Sequence, residues 1–318
     1  MPADLSHVEK RNILWLLREH GVRIDGRSFS QTRSVSLQTD VLPSAAGSAR
    51  ILVRGGNDVL ASTNTELRQF DVAIDADTIL KKGSVGFSVE FCGVASPEFQ
   101  GRGSEVVEVE LVSLLESMYS SSAEFLLHLV AGERKLASNP SVLRVCCWEI
   151  YVDVLILGAS GGNIVDAVSY AVRSAIATTF VPAVFWQEDA LGGSWELDER
   201  AECCHRLDVT HAPVCSSGAF MSESFLAERI GSEIPELVVP QWLILDPCAE
   251  EESLAGCTIS VAGTKHRQIC AVWKSGAEPV SLDLTLEATR LCETECALLC
   301  DEMDAMLVDM DRSDLDEP

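Results

Sequence analysis

The chain has 318 residues, of which 47% are apolar, and a mean hydropathy of +0.16. That supplies one large core or two modest ones and excludes disorder as its main state. A net charge of −25 excludes an autonomous nucleic-acid binder, which needs a basic footprint.

The charge is uneven. Residues 1–150 carry 15 Lys+Arg against 19 Asp+Glu, whereas residues 151–318 carry 9 against 30. Contact with a polyphosphate therefore requires a local basic patch in the first half, or a partner that supplies the positive field. No uncharged apolar run approaches the roughly eighteen residues of a membrane helix, and Met1–Lys10 lacks the apolar core of a signal peptide. The 12 cysteines stand mostly inside apolar segments with no Cys-x-x-Cys pair, which reads as buried thiols in a reducing compartment. Cys292, Cys296 and Cys300 recur every fourth residue and so share one helix face.

In chain order, Ser6 caps a helix through Leu17, with Glu9 at the capping-box spacing and Gly21 at its end. Arg23, Asp25, Gly26 and Arg27 make a turn-rich segment. From Arg33 to Arg68 apolar residues alternate, punctuated by Pro43, Gly47 and Gly55-Gly56-Asn57-Asp58, which predicts an antiparallel meander. A polar loop over 69–84 holds Lys81-Lys82, and a strand over Val85–Cys92 follows. Ser104 opens a helix to Tyr119 with Leu111, Leu114, Leu115 and Met118 on one face; a second helix is expected over Ala123–Ala131. The segment 146–179 then reads as an apolar strand, a small-residue turn from Gly158 to Asn163, and an amphipathic helix from Ile164. A strand, a glycine turn and a helix N-terminus together form a potential anion cradle.

Beyond Pro182 a short strand near Val184 precedes an acidic loop through Arg200. Further strands are predicted near 214–220, 242–245, 257–261 and 269–273. A long helix starts after Asp283 and fades into an acidic tail, Asp309–Pro318, expected without regular structure. Strands then helices, twice over, define an α+β fold of two similar half-domains around one core.

Several segments resemble one family. Ile24-Asp25-Gly26-Arg27 with Arg33, Gly47-Ser48-Ala49-Arg50 followed by Asn57-Asp58-Val59-Leu60, Pro97 to Gly103, and Tyr151 to Ala167 resemble, in order and spacing, RNase PH-like ring subunits of the eukaryotic RNA exosome. The resemblance implies an RNase PH-like domain over 23–300, preceded by an N-terminal helix (1–22) and followed by an acidic C-terminal tail (301–318).

In phosphorolytic members of that family, a Thr-Arg pair after the double glycine holds phosphate. An arginine before the preceding long helix holds substrate, and two acids six residues apart complete the site. Here Asn163 and Ile164 follow Gly161-Gly162, so the bidentate guanidinium is missing. The first acid position falls at Glu252, and Thr258 stands at the second, unable to act as an acid. Only Arg102 is retained. Attack of phosphate on a phosphodiester joins two anions and needs positive charge and a proton donor, so this site is expected to be silent.

The resemblance therefore implies a non-catalytic subunit that supports 3′–5′ RNA processing by building a channel. Its partners would be sister RNase PH-like subunits in a hetero-hexameric ring, cap subunits, a catalytic nuclease and single-stranded RNA, in the nucleus, including the nucleolus, and the cytoplasm. The alternatives are an active phosphate-dependent 3′–5′ exoribonuclease using Glu252 and Arg102, or another sister subunit. Candidate RNA contacts are Lys81, Lys82, Arg102, Arg134 and Lys135. No cofactor and no metal site is expected: Glu250-Glu251-Glu252 reads as a solvated acidic turn, and the His205 and His211 spacing from nearby cysteines is irregular.

Overall fold

The computed structural model describes residues 5–73, 82–96, 103–136, 141–188, 193–198, 200–222 and 241–316. Its frame is one long antiparallel pair. Strand β3 (Asn57–Ala73) runs beside β6 (Val142–Ala159) from Asn57↔Ala159 to Ala73↔Val142. Such a pair holds its register because alternate residues, among them Val59, Ala61, Ile150, Val152, Val154 and Ile156, are buried on one face. On the near side, β1 (Val35–Thr39) and β2 (Gly47–Val53) complete the predicted meander. The far edge of β6 is shared. Strand β4 (Ser84–Phe91) pairs with it in parallel along 149–156, and β5 (Val130–Lys135) pairs antiparallel along 143–147.

The second sheet is antiparallel, ordered β12-β11-β13-β14. It comprises β11 (Val214–Ser222), β12 (Gln241–Leu245), β13 (Cys257–Gly263) and β14 (Ile269–Ser275). Helix α4 (Ile164–Ala177) lies between the sheets, against β2, β3 and β6 on one side and β11 on the other. Every residue from Asp166 to Ala177 is buried. Ala167, Ala171 and Ala175, four apart on one face and at most 1% exposed, let the sheets approach closely. A Cβ at Gly47 would lie 2.6 Å from the Thr179 backbone, so β2 touches the end of α4 only as glycine. The single core shared by two half-domains, as predicted from sequence, is thus organised around this helix.

Helix α1 (His7–Trp15) has the predicted Ser6–Glu9 capping box and ends through a π-helical turn at Gly21, which has φ 62°. Its Ile13 and Leu17 pack on Met221, Ile244 and Leu254 of the second half. Helix α2 (Gly103–Ser121) carries the predicted apolar stripe, with Ser104 inside the helix. Helix α3 (Ala123–His128) is shorter than expected, because the chain turns into β5 at Val130. Gly132 there lies under the Trp195 ring, where a Cβ would be 2.4 Å away. Likewise β3 continues to Ala73, into the stretch expected as a polar loop, because β6 offers it a partner throughout.

Strands β7 (Phe180–Val181) and β10 (His205–Arg206) pair, as do β8 (Val184–Gln187) and β9 (Ser194–Leu197), the last in the expected acidic loop. Helix α5 (Ala249–Leu254) precedes β13, and α6 (Leu282–Asp316) closes the fold. Cys292, Cys296 and Cys300 share its buried face, and the Cys296 thiol reaches the Val214 and Val261 carbonyls at 3.4 Å. The tail boundaries at 301 and 309 are corrected: α6 continues to Asp316, with Met303 buried and Asp304 ion-paired to the fully buried Arg173 of α4 at 2.8 Å. The acidic composition of the segment, read in isolation as a solvated tail, concealed this anchored helical turn.

Candidate functional site

The predicted turn closes between β6 and α4. Gly162 (φ 72°) and Asn163 (φ 50°) are both left-handed, a conformation glycine adopts freely and asparagine tolerates. A Cβ on Gly162 would stand 2.5 Å from the Ala249 nitrogen, and one on Gly161 would stand 2.9 Å from the Gly55 carbonyl. The double glycine is therefore required by the approach of α5 and of the β2–β3 turn.

An arginine–carboxylate hub holds the turn from beneath. Arg33 donates to both Asp246 oxygens, at 2.6 and 2.9 Å, and its main-chain N–H donates to Asp246 Oδ2 at 2.8 Å. The same guanidinium caps the turn carbonyls of Gly161 (2.7 Å) and Gly162 (3.2 Å). Arg27 adds a contact to Asp246 Oδ2 at 3.1 Å. Behind them Arg23, 1% exposed, grips Glu251, 0% exposed, and donates to the Leu245 and Asp246 carbonyls at 2.8 Å. Asn57 completes the seat, accepting the Gly161 N–H at 3.0 Å and donating to the Gly162 carbonyl at 2.6 Å.

Asn163 is the crossing point. Its side-chain amide donates to Asp166 Oδ2 at 2.8 Å and to Asp246 Oδ1 at 2.9 Å, and its main-chain N–H donates to Glu252 Oε2 at 3.1 Å. Asp166 also accepts from the Ser217 N–H and hydroxyl, at 2.9 and 2.6 Å. Burial and the nearby Asp246 charge push the Asp166 carboxyl up to about 7. Burial pushes Asp246 up too, but the Arg33 hydrogen bonds and charge prevail and hold it below the usual carboxylate range. Packing around the Glu252 carboxyl raises it above its ordinary value, although the residue reaches solvent at the surface. A cavity of ≈ 450 Å³ opens beside the hub, lined in part by Arg27, Arg33, Arg54, Ser160, Cys248 and Glu250. Two of its three guanidinium groups are already committed to Asp246.

The candidate positions from sequence separate clearly. Asn163 and Glu252 meet. Ile164 begins α4, half-buried against the main core. Thr258 lies on β13, its hydroxyl 3.1 Å from that of Ser275 on β14, and a hydroxyl cannot take an acid's role. Lys82 stands at a groove with Ser113, Ser117 and Glu116 of α2. Arg134 pairs with Glu188 at 3.2 Å and stacks on Trp186 at 5.1 Å, and Lys135 is exposed at the end of β5. Lys81 and Arg102 lie outside the described residues. Among the described residues no group of three His, Cys, Asp or Glu side chains can hold a metal ion.

Sequence reasoning did not single out Arg23, Asp166 or Asp246, and the reading of Glu250-Glu251-Glu252 as a solvated acidic turn is corrected: these residues form the first turn of helix α5, and Glu251 is 0% exposed against Arg23. The available signal was three arginines spaced through 23–33 in a chain otherwise poor in cations, and an Asp-Pro directly after an apolar strand.

Two packed half-domains about a helix that starts from a double-glycine turn define an RNase PH-type architecture. The chain belongs to that family: the profile of the 3′ exoribonuclease family, domain 1, matches residues 31–182, and that of domain 2 matches residues 238–294. The exosome complex component Rrp42 of Thermococcus gammatolerans is 28% identical over 89% of this chain and 89% of its own. The Rrp42 of Methanocella arvoryzae is 24% identical over 96% of this chain and 100% of its own. The exosome complex component RRP45 of Bos taurus is 28% identical over 91% of this chain, which spans 57% of that longer protein. In three dimensions the chain is similar to a subunit of the Archaeoglobus fulgidus exosome with RNA bound to the active site, with TM-score 0.62, 22% identity, and coverage of 93% and 97% of the two chains.

Proposed function

We propose that this chain is a non-catalytic structural subunit of an RNA exosome ring, acting with sister RNase PH-like subunits to thread single-stranded RNA toward a nuclease. The observation that carries the reading is the composition of the turn: Asn163 and Ile164 follow the double glycine, and Arg27 and Arg33 beside it are engaged by Asp246 and by main-chain carbonyls. A helix N-terminus contributes about half a charge, too little to bring phosphate against a phosphodiester in so acidic a chain. Exposed apolar residues support assembly. Ile269, Val272 and Trp273 lie on the edge strand β14, and Val106 and Val109 on α2 are 64% and 68% exposed; surfaces of this kind are covered in oligomers. Cap subunits, a nuclear and cytoplasmic location, and RNA contact by Lys82 belong to the same proposal.

The test is to purify the chain alone and with a co-expressed RNase PH-like partner, and then to supply single-stranded RNA and inorganic phosphate. The expected result is a stable mixed ring by native mass spectrometry, with no nucleoside diphosphate release that depends on this subunit. Release that disappears in Glu252→Gln would establish the chain as a phosphorolytic enzyme instead.

A further inference from the structure

The two neighbouring carboxylates of α5 point in opposite directions. Glu251 is sealed against Arg23, whereas Glu252 turns toward the start of α4. There its Oε2 takes the Asn163 N–H at 3.1 Å. The first N–H groups of a helix have no intrahelical partner and carry partial positive charge. Glu252 thus stands where an external oxyanion would stand.

The surroundings reinforce the closure. The main chain of α5 presses on Gly162, with Ala249 only 2.5 Å from the position of a Cβ there. Several other polar groups of the turn are engaged as well: the Gly161 N–H by Asn57, the Gly161 and Gly162 carbonyls by Arg33, and the Asn163 amide by Asp166 and Asp246. Around the turn, Arg27 and Arg33 are paired with Asp246, and Glu252 is the carboxylate that reaches solvent, while Arg54 and Glu250 line the adjoining cavity. An arriving phosphate would have to displace this carboxylate and would be repelled by it.

We infer that Glu252 is a resident counter-anion, an autoinhibitory contact that keeps the turn closed to inorganic phosphate. The inference rests on the reading of the chain as a silent member of a phosphorolytic family, and it assigns the silence to an occupied cradle as well as to the missing clamp.

The experiment compares the full-length chain with Glu252→Ala and Glu252→Gln, using inorganic phosphate at constant ionic strength, followed by calorimetry and by the shift in unfolding temperature. The wild type is expected to show no saturable phosphate binding. Glu252→Ala gains it, binding at least about tenfold more tightly than the wild type. Glu252→Gln keeps the shape of the plug without its charge and is expected to bind phosphate more tightly than the wild type but more weakly than Glu252→Ala. Glu252→Ser provides a second small side chain should the alanine variant not fold. Wild-type binding equal to that of the small variants overturns the inference, as does absence of binding in a folded small variant. Nucleoside diphosphate release is measured in parallel. Release by the wild type would refute the non-catalytic reading, whereas phosphate binding by Glu252→Ala without release leaves that reading standing.

Discussion

The same residue types behave differently at the two ends of the β3–β6 pair. At the α4 end, Arg23, Arg27 and Arg33 are drawn into the interior by Asp246 and Glu251, partners more than 200 positions away in sequence. At the far end, Arg68, Arg134 and Arg144 lie at the surface and pair singly with Glu149, Glu188 and Asp71. Trp186 and Trp195, opposed across the β8–β9 hairpin at 5.3 Å, cover that end. Arg144 donates to the Gly193 carbonyl, and Gln69 exchanges two hydrogen bonds with the Trp195 main chain. Inside, removing one partner strands the other in a medium that cannot solvate it. Outside, water replaces the lost partner. Among the described residues, cations are present at both ends, yet these six arginines are all paired with carboxylates.

The largest expected effect breaks the buried end. Glu251→Ala leaves Arg23 uncompensated and should cost about 3–5 kcal/mol of unfolding free energy, read by urea titration. Glu251→Gln should fall between it and the wild type. Next is Gly162→Ala, which forces a side chain into left-handed backbone against Ala249. A loss of about 1–3 kcal/mol is expected for the strain alone, and the overlap adds to it.

A smaller effect sharpens the contrast through pH. Asp166 has a folded value of about 7 against an ordinary 3.8, so the folded state holds a proton that the unfolded state releases. Its contribution is complete below about pH 4 and is lost as pH rises toward 7. Asp166→Asn should therefore show a flatter stability profile over that window, whatever its absolute offset. The smallest effect is at the exposed end, where Arg134→Ala should leave the unfolding midpoint and the affinity of the assembled complex for single-stranded RNA unchanged within error. A clear loss of RNA affinity would restore Arg134 as a contact.

The elements with strong local signals were legible in the sequence: the Ser6 cap, the meander, the α2 stripe and the strand–turn–helix of 146–179, which the structure shows as Val142–Ala159 and Ile164–Ala177. Local patterning could not reveal β5, because Ala123–Ala131 reads as one helix until Gly132 meets a tryptophan more than sixty residues later. For the same reason the acidic end of α6 reads as solvent-loving until Arg173 of α4 is seen against Asp304. At the site, the substitutions Asn163, Ile164 and Thr258 were visible as departures from a resemblance. The hub was not, since its members come from residues 23–33, 57, 163–166 and 246–252, and only the fold brings them together.

The segment from Ile13 to Arg23 is fastened to the second half of the molecule. Ile13 and Leu17 seat on Met221, Ile244 and Leu254, and Arg23 waits for Glu251. During synthesis, then, this segment emerges roughly two hundred residues before its seat, and it must stay unpaired until the strands and helix of residues 221–254 have followed. Closure over such a span is slow and leaves apolar surface open meanwhile. A ribosome stalled before residue 240 would present α1 without a seat, which is the state a chaperone or a protease would meet.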